Sequence, residues 1–462
     1  MANVLVITHG TGGDVIPFIR LGKILKNAGY NVFIFTHCIY EEESKKSGLN
    51  FVAIDDYEEY KEKNDSLYQL SDPINKLDEY LEFNKKYCGA DRMYKEYMLI
   101  REYCIDENTI ILFRHRFSLS GLLVAEKYNC IGVPVFLAPN YLQHLELHEK
   151  LIGETMVNEI NIVRSRTGLK NISSWTKWMC SPRFKIAVWP RWYAIEETKD
   201  INEIATIGFL AEDTNDQYKI SEKVKKFLNS GKKTVLITAG TSNVINPDFY
   251  KIAVEACTKE NINAILVTPF DELVPKNLEG NILRLHKAPI KDIMLYVYAV
   301  IHHGGIGTGS EAIACGIPQI IMPHIADGPD NADKLRKLGV AKVLPMKNWN
   351  AESLGKILNN ITEDNISLSC KKLSEKMKKD NYKEELCSSI KKLLENKEAY
   401  KIKNFPEGSL EESKYLNNTG INYCKEKINE DGVVCNNKSN MDSISERKKK
   451  MLLELLRKKQ KD

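Results

Sequence analysis

The residues best suited by type and spacing to do chemistry lie in Val300-Ile301-His302-His303-Gly304-Gly305-Ile306-Gly307-Thr308-Gly309-Ser310-Glu311. An apolar run ends in two histidines, glycines then let the backbone turn tightly, and Thr308 is set to open a helix. Such a turn aims free N–H groups and the positive end of a helix outward, which suits an anion such as phosphate. On that reading His303 bonds a phosphate oxygen and Glu311, taken to lie on the first helical turn, accepts from ribose hydroxyls. A glycine-rich turn around a buried, hydrogen-bonded histidine accounts for the same residues with no ligand. A second cluster, Gly10-Thr11-Gly12-Gly13-Asp14, follows the first apolar run. It invites a dinucleotide-binding reading that fails, because the third glycine of G-x-G-x-x-G falls on Val15. The second apolar run also ends in Thr36-His37, with no carboxylate for a ribose. Asp14, just before Val15-Ile16-Pro17, suits a helix cap, since proline fits a first turn.

Two further groupings carry less. His144-x-x-x-His148 with Glu146 and Glu149 has helical metal spacing but lacks the His-Glu-x-x-His order of zinc proteases. It reads as a solvated helix face or a pocket lining, and no metal site is expected. Trp175, Trp178, Trp189, Trp192 and Tyr193 bring together four of the chain's 5 tryptophans. They are either core beside an interlobe connection or the lining for a flat, apolar ligand.

These residues need strands to hold them. Val4–Thr8, Asn31–Thr36 and Phe51–Ile54 are apolar runs separated by helical patterns around 18–28 and 39–47. Ile110–Phe113 and Val133–Leu137 extend the series across a helix near 118–128, and the polar stretch 57–107 is predicted helical, covering the sheet or forming an insertion. A second alternation runs through Thr234–Ala239, Ala264–Thr268, Ile282–Leu285, Val300–His302 and Gln319–Met322. Helices near 248–260, 307–315 and 330–338 separate those strands. Strands alternating with helices imply right-handed crossovers and parallel sheets. The fold class expected is α/β, two Rossmann-like lobes facing across a cleft, with ligands beyond the carboxyl ends of the strands. The predicted divisions are a first lobe over 1–211, a linker near 211–221, a second lobe over 222–396 and a basic, mostly disordered tail over 397–462 ending in an amphipathic helix.

Composition agrees with two ordinary cores. The chain has 462 residues, 43% hydrophobic and 28% charged, too long for one core and too apolar for disorder. The net charge of +4 resides in the tail, which carries 15 Lys/Arg against 11 Asp/Glu, so the body is balanced. A neutral body argues against a nucleic-acid partner. Eleven scattered cysteines with no C-x-x-C favour reduced thiols and a cytoplasmic location. Asn3–Thr8 is too short for a signal peptide, and no apolar run reaches the roughly 18–20 residues of a membrane span. In the tail, Met451, Leu452, Leu455 and Leu456 share one helical face flanked by Lys and Arg, a pattern suited to an anionic membrane face or a partner's groove.

The stretch HHGGIGTGSEAIACGIPQIIMPHIADGPDNADKLRKLG (302–339) resembles the donor-binding signature of family 1 glycosyltransferases with the GT-B fold. It is closest to the branch acting on antibiotic aglycones and sterols, and the similarity includes Gly10–Pro17 and Ala239-Gly240-Thr241. The resemblance implies transfer of a sugar from a UDP- or dTDP-sugar to a lipophilic hydroxyl, with inversion and no cofactor beyond the nucleotide sugar. It implies that His303 meets the α-phosphate, and that Gly305, Gly307 and Thr308 hold the β-phosphate. Glu311 would take the ribose, Thr241 would touch the diphosphate from the other side, and Asp327 would grip sugar hydroxyls. Asp14 matches the catalytic base, with His9 in reserve, and remains open as a cap alone. The family's Asp-Gln is here Asp327-Gly328, so an amide is missing; restoring it with Gln is expected to raise affinity for a hexose donor if Gly328 is only a lost contact. Two other readings compete: a non-catalytic helper that binds a partner enzyme, and a nucleotide-sugar epimerase or hydrolase. The tail's last helix also weakly resembles the leader helix before condensation domains of peptide synthetases, implying an assembly-line contact.

Overall fold

A computed structural model of the protein describes residues 2–402, except 73–74, 105, 107, 200, 202, 211–219, 243 and 363. The apolar runs form two parallel sheets. The first has seven strands: β1 (Asn3–Ile7), β2 (Asn31–Thr36), β3 (Asn50–Ala53), β4 (Ile110–Arg114), β5 (Ile131–Phe136), β6 (Lys185–Ala187) and β7 (Ile204–Thr206), ordered 3-2-1-4-5-6-7. The second has six: β8 (Thr234–Thr238), β9 (Asn263–Val267), β10 (Ile282–Leu285), β11 (Ala299–His302), β12 (Gln319–Ile321) and β13 (Ala341–Val343), ordered 10-9-8-11-12-13. Every residue of β1, β4, β5, β8, β9 and β11 is buried. Burial on both faces is why parallel strands read as continuous apolar runs rather than alternating ones.

The helices of the 57–107 stretch cover the first sheet. Met93, Tyr97 and Ile100 from the Ala90–Arg101 helix pack with Leu5, Ile7 and Phe113, and Ile152, Met156 and Ile160 of the Leu145–Thr167 helix join them. The chain then crosses back: Leu386, Ile390 and Leu393 of the Tyr382–Glu395 helix pack on the first sheet with Val4 and Phe18. Between the lobes, Trp189, Tyr193 and Phe209 share one buried cluster with Ile237, Ile301 and Ile321.

The aromatic group is therefore core. Trp175, Trp178 and Trp189 are fully buried; Trp178 donates its indole N–H to Glu126 at 2.8 Å, and Trp192 donates to Asp380 at 3.0 Å. Among the described residues, no helix is long and apolar enough to cross a membrane. The linker over 211–219 and the tail from 403, with its amphipathic segment, lie outside the described residues.

Candidate active site

Each sheet has one place where neighbouring strands send their crossovers in opposite directions, and the crevice there is where open parallel sheets take ligands. In the first sheet it lies between β1 and β4, and in the second between β8 and β11. The loops leaving these strands are Thr8–Thr11, Arg114–Ser118, Ala239–Thr241 and His303–Gly305, which carry most of the residues singled out above. The two crevices meet. A Cβ added at Gly12 would lie 2.9 Å from Thr241 Oγ1, so the first glycine loop touches the other lobe and a side chain there would have to displace Thr241.

On the first-lobe side the Gly12–Asn27 helix starts at its glycines, so Pro17 falls in the second turn rather than the first. Asp14 sits at the third helical position. Its carboxylate accepts the Thr11 backbone N–H at 3.0 Å and pairs with Arg114 at 2.6 Å. Arg114 also donates to the His9 carbonyl at 2.6 Å. A carboxylate has about four lone-pair sites, so capping and pairing leave acceptor capacity on a side chain that is 23% exposed. His9 differs. Its two nitrogens are taken by Ser118 Oγ at 2.7 Å and Glu96 at 2.9 Å, and the residue is 4% exposed. Burial pushes its pKa down despite Glu96. It is a structural end-of-strand histidine.

On the second-lobe side the helix runs Ile306–Cys315 with Gly305 as its N-cap. Thr308 therefore lies inside the first turn instead of opening the helix, and Glu311 lies in the second turn. Glu311 lies 3.6 Å from Arg20 of the other lobe, and Arg20 also donates to the Leu210 carbonyl at 2.9 Å. His303 Nδ1 is buried without a protein partner. Burial, followed by His302 and His324, pushes the His303 pKa down to about 3, so at neutral pH it is an uncharged imidazole with one N–H to give. Its neighbour His302 is structural, bonded to Gln319 at 3.0 Å and to the Gly304 N–H at 3.2 Å.

Asp327 precedes the Gly328–Lys337 helix. Burial raises its pKa to about 6, and the charges of Asp14 and Asp330 add to the effect. Asn331, which sequence reading missed, locks this corner. Its amide donates to Asp327 at 2.7 Å and to the Gly304 carbonyl at 3.0 Å, and its oxygen accepts from Tyr193 at 3.1 Å.

Gly328 corrects an expectation. A Cβ there would lie 2.7 Å from the His303 carbonyl, and one at Gly304 would lie 2.6 Å from the Gly328 carbonyl. The two glycines are a backbone-to-backbone contact holding the His303 loop, and an amide at 328 has no room to reach a sugar. We expect Gly328→Gln to lower turnover with every donor by about tenfold or more, and Gly328→Ala to lower it similarly, because overpacking of this kind costs about 1–3 kcal/mol. Steady-state rates with two different donors check it; a gain with either donor would show that the contact yields.

Residues 114–116 also escaped notice, although Arg-His-Arg directly after an apolar run was a visible signal. The His144/His148 pair stands in front of them: His148 contacts Arg116. Among the described residues, no three His, Cys, Asp or Glu side chains are grouped as metal ligands would be.

Against this geometry the comparisons are consistent. Residues 4–145 match the glycosyltransferase family 28 N-terminal domain, and residues 260–396 match the C-terminal domain of erythromycin biosynthesis protein CIII-like proteins. Sterol 3-beta-glucosyltransferase of Pichia angusta is 26% identical over 393 residues, 77% of this chain but 30% of that protein. The glycotransferase of kitacinnamycin superposes with a TM-score of 0.66 at 15% identity, covering 86% of this chain and 98% of its own. Glycosyltransferase VinC in complex with dTDP gives 0.61 at 17% identity over 84% of this chain and all of its own. The curated relative is more than three times as long as the stretch it shares with this chain.

Proposed function

Since this chain belongs to the family 1 glycosyltransferases of the GT-B fold, we propose that it transfers a sugar, with inversion, from a nucleotide-diphosphate sugar to a hydroxyl of a lipophilic small molecule. The observation carrying this reading is the meeting of the two crevices: Gly12, two residues before Asp14, lies against Thr241, and the preceding Gly240 lies against the His303 ring. The acceptor is of the sterol or natural-product aglycone kind, as the names of the relatives suggest, and the donor is a UDP- or dTDP-sugar. The acceptor lobe is assigned to 1–211 together with the returning Tyr382–Glu395 helix, and the donor lobe to the remainder of 222–396, in a cytoplasmic protein.

In the proposed reaction the acceptor oxygen attacks the anomeric carbon as the bond to the diphosphate breaks, and the acceptor proton passes to Asp14. A hydroxyl is a poor nucleophile until that proton is leaving, so a carboxylate within hydrogen-bond reach is required. Arg114 orients the carboxylate and Thr11 fixes its second oxygen. The diphosphate gains negative charge as it departs, and His303, the Gly305–Thr308 backbone and the Thr308 hydroxyl are placed to receive it. Thr241 approaches from the other side, Glu311 takes the ribose, and Asp327 accepts from sugar hydroxyls. The tail's basic flanks support a further contact with a membrane face or an assembly-line protein, read by sedimentation of the full chain with anionic vesicles.

Mass spectrometry of products tests the main reading, with UDP- and dTDP-hexoses supplied with and without a panel of sterol, macrolide and hydroxy-acid alcohols. Transfer appearing only when an acceptor is present supports it. Free sugar or an epimerised donor without any acceptor would replace it with the hydrolase or epimerase reading, and inertness with every donor would favour the helper.

Asp327 gives a prediction separable from turnover. A carboxyl whose folded pKa is raised binds its proton more tightly when folded, so its effect on stability turns unfavourable as pH climbs from about 4 to about 6. Asp327→Asn should therefore melt above the wild type at pH 7 by the equivalent of about 1–3 kcal/mol, with the gap closing at pH 4, while losing activity. Equal melting at both pH values would show that the carboxyl is not desolvated.

A further inference from the structure

The loop leaving β4 holds groups that the proposed transfer does not use. Arg116 adopts a left-handed backbone, with φ of 69°, a conformation costly for a residue bearing a long side chain. Its guanidinium lies over the rings of Phe117 at 4.5 Å and Tyr141 at 5.6 Å. Its hydrogen-bond partner is His148, which burial, then Arg116 and His144, hold uncharged. Among the described residues, no carboxylate pairs with Arg116. Three of the lobe's most buried arginines are paired: Arg92 with Glu96 at 2.8 Å, Arg114 with Asp14 at 2.6 Å and Arg164 with Glu126 at 2.6 Å.

His115, between the two arginines, is 1% exposed, and neither ring nitrogen has a partner. Its ring stacks on Phe136 at 4.4 Å and tilts against Tyr141 at 4.7 Å. A buried imidazole with no partner is an unfavourable arrangement that ordinary packing does not retain without return. Tyr141 is thus the wall shared by an unneutralised guanidinium and an unpartnered imidazole. Phe117 carries Arg114 at 4.3 Å on the same ring that Arg116 covers at 4.5 Å, and Arg114 holds Asp14 at 2.6 Å, so this wall stands beside the proposed base.

Resting on the reading above, we propose that the acceptor is anionic: an oxyanion of its own, carboxylate or phosphate monoester, docks on Arg116 against Tyr141, with His115 and His148 beside it, while its hydroxyl reaches Asp14. The planar fork of arginine suits both oxyanions. The apolar rings alongside accept the body of a greasy acid. This separates the acceptor from neutral sterols, which offer nothing to a guanidinium.

The test uses the full chain and three probes that share one alkyl body: 12-hydroxydodecanoate, its methyl ester and 12-hydroxydodecyl phosphate, each with the nucleotide sugar that the product screen finds best. The acid or the phosphate, whichever the site was built for, should show a kcat/KM about tenfold or more above the ester, mostly through KM. Arg116→Gln should erase that preference while leaving the ester unchanged, and Arg116→Lys should restore part of it. Thermal shift by the same probes reads binding even if none is glycosylated: a rise in melting temperature with the acid or phosphate, absent in Arg116→Gln, supports the oxyanion site though the transferase reading fails. Equal use and equal binding of acid, ester and phosphate overturn the proposal with transfer intact. An equal loss for all three probes in Arg116→Gln also overturns it, placing Arg116 on the donor's diphosphate.

Discussion

Asp14→Asn should lower kcat/KM by about 10²–10⁴-fold, the range typical of losing a positioned general base, while the fold persists. Asparagine keeps an oxygen for the Thr11 N–H that the carboxylate now accepts at 3.0 Å. What it gives up is the charge pairing with Arg114, whose side chain is 6% exposed. That change should cost about 1–3 kcal/mol of stability, as an incompletely compensated buried group does. The loss should fall on kcat with both substrates saturating, since the carboxylate acts as the proton moves and not when the acceptor docks. Asp14→Asn retaining wild-type kcat with a normal melting curve would leave Asp14 as a helix cap and nothing more.

Much of this arrangement was legible before any coordinates. β2 and β10 were bounded correctly as Asn31–Thr36 and Ile282–Leu285, because buried parallel strands announce themselves as apolar runs closed by polar or glycine residues. β6, β7 and β13 were not: each is three residues with no more than two aliphatic side chains (KIA, IAT, AKV), whereas the equally short β12 could be read because Ile320 and Ile321 run on into Met322. The Leu145–Thr167 helix was legible only at its start, around His144 and His148, and not over its length. It buries one stripe, including Ile152, Met156 and Ile160, while charged residues intervene along its length, so no continuous apolar run marks it.

At the site, the residues facing the donor could be read because their chemistry is local. A glycine turn, a histidine and a helix end follow one another in sequence. Asn331 and Arg20 could not be read, since their work is across the fold: one ties Asp327, Gly304 and Tyr193 together, and the other spans from the first helix to Glu311. Gly328 was misjudged because a motif resemblance supplies a missing side chain but not the carbonyl 2.7 Å from where its Cβ would sit. A substitution toward a family's usual residue is safe only where the backbone leaves room for it.

His303→Ala is expected to lower kcat by about 10²–10³-fold, the effect of removing one preorganised donor to charge that develops in the transition state. Its environment explains why so much rests on one ring. Burial keeps it uncharged, with a pKa pushed down to about 3, so it offers a neutral N–H and pays no desolvation of an imidazolium when the diphosphate arrives. The ring is wedged between glycine backbones; a Cβ at Gly240 would lie 3.0 Å from its Cε1, and one at Gly305 would lie 2.6 Å from its Nε2. Its orientation is therefore fixed before the donor binds, which is the condition for a donor to act without reorganising. Because Nδ1 has no protein partner, truncation strands no other group, and the melting temperature should change little. The nucleotide diphosphate alone should bind the variant only several-fold more weakly, since the larger part of the interaction forms as the glycosidic bond breaks. His303→Gln, which restores an N–H on a more mobile side chain, should recover part of kcat. If His303→Ala instead keeps full kcat while the nucleotide binds normally, the phosphate contact is wrong, and the imidazole is there only to fill the space between two glycine turns.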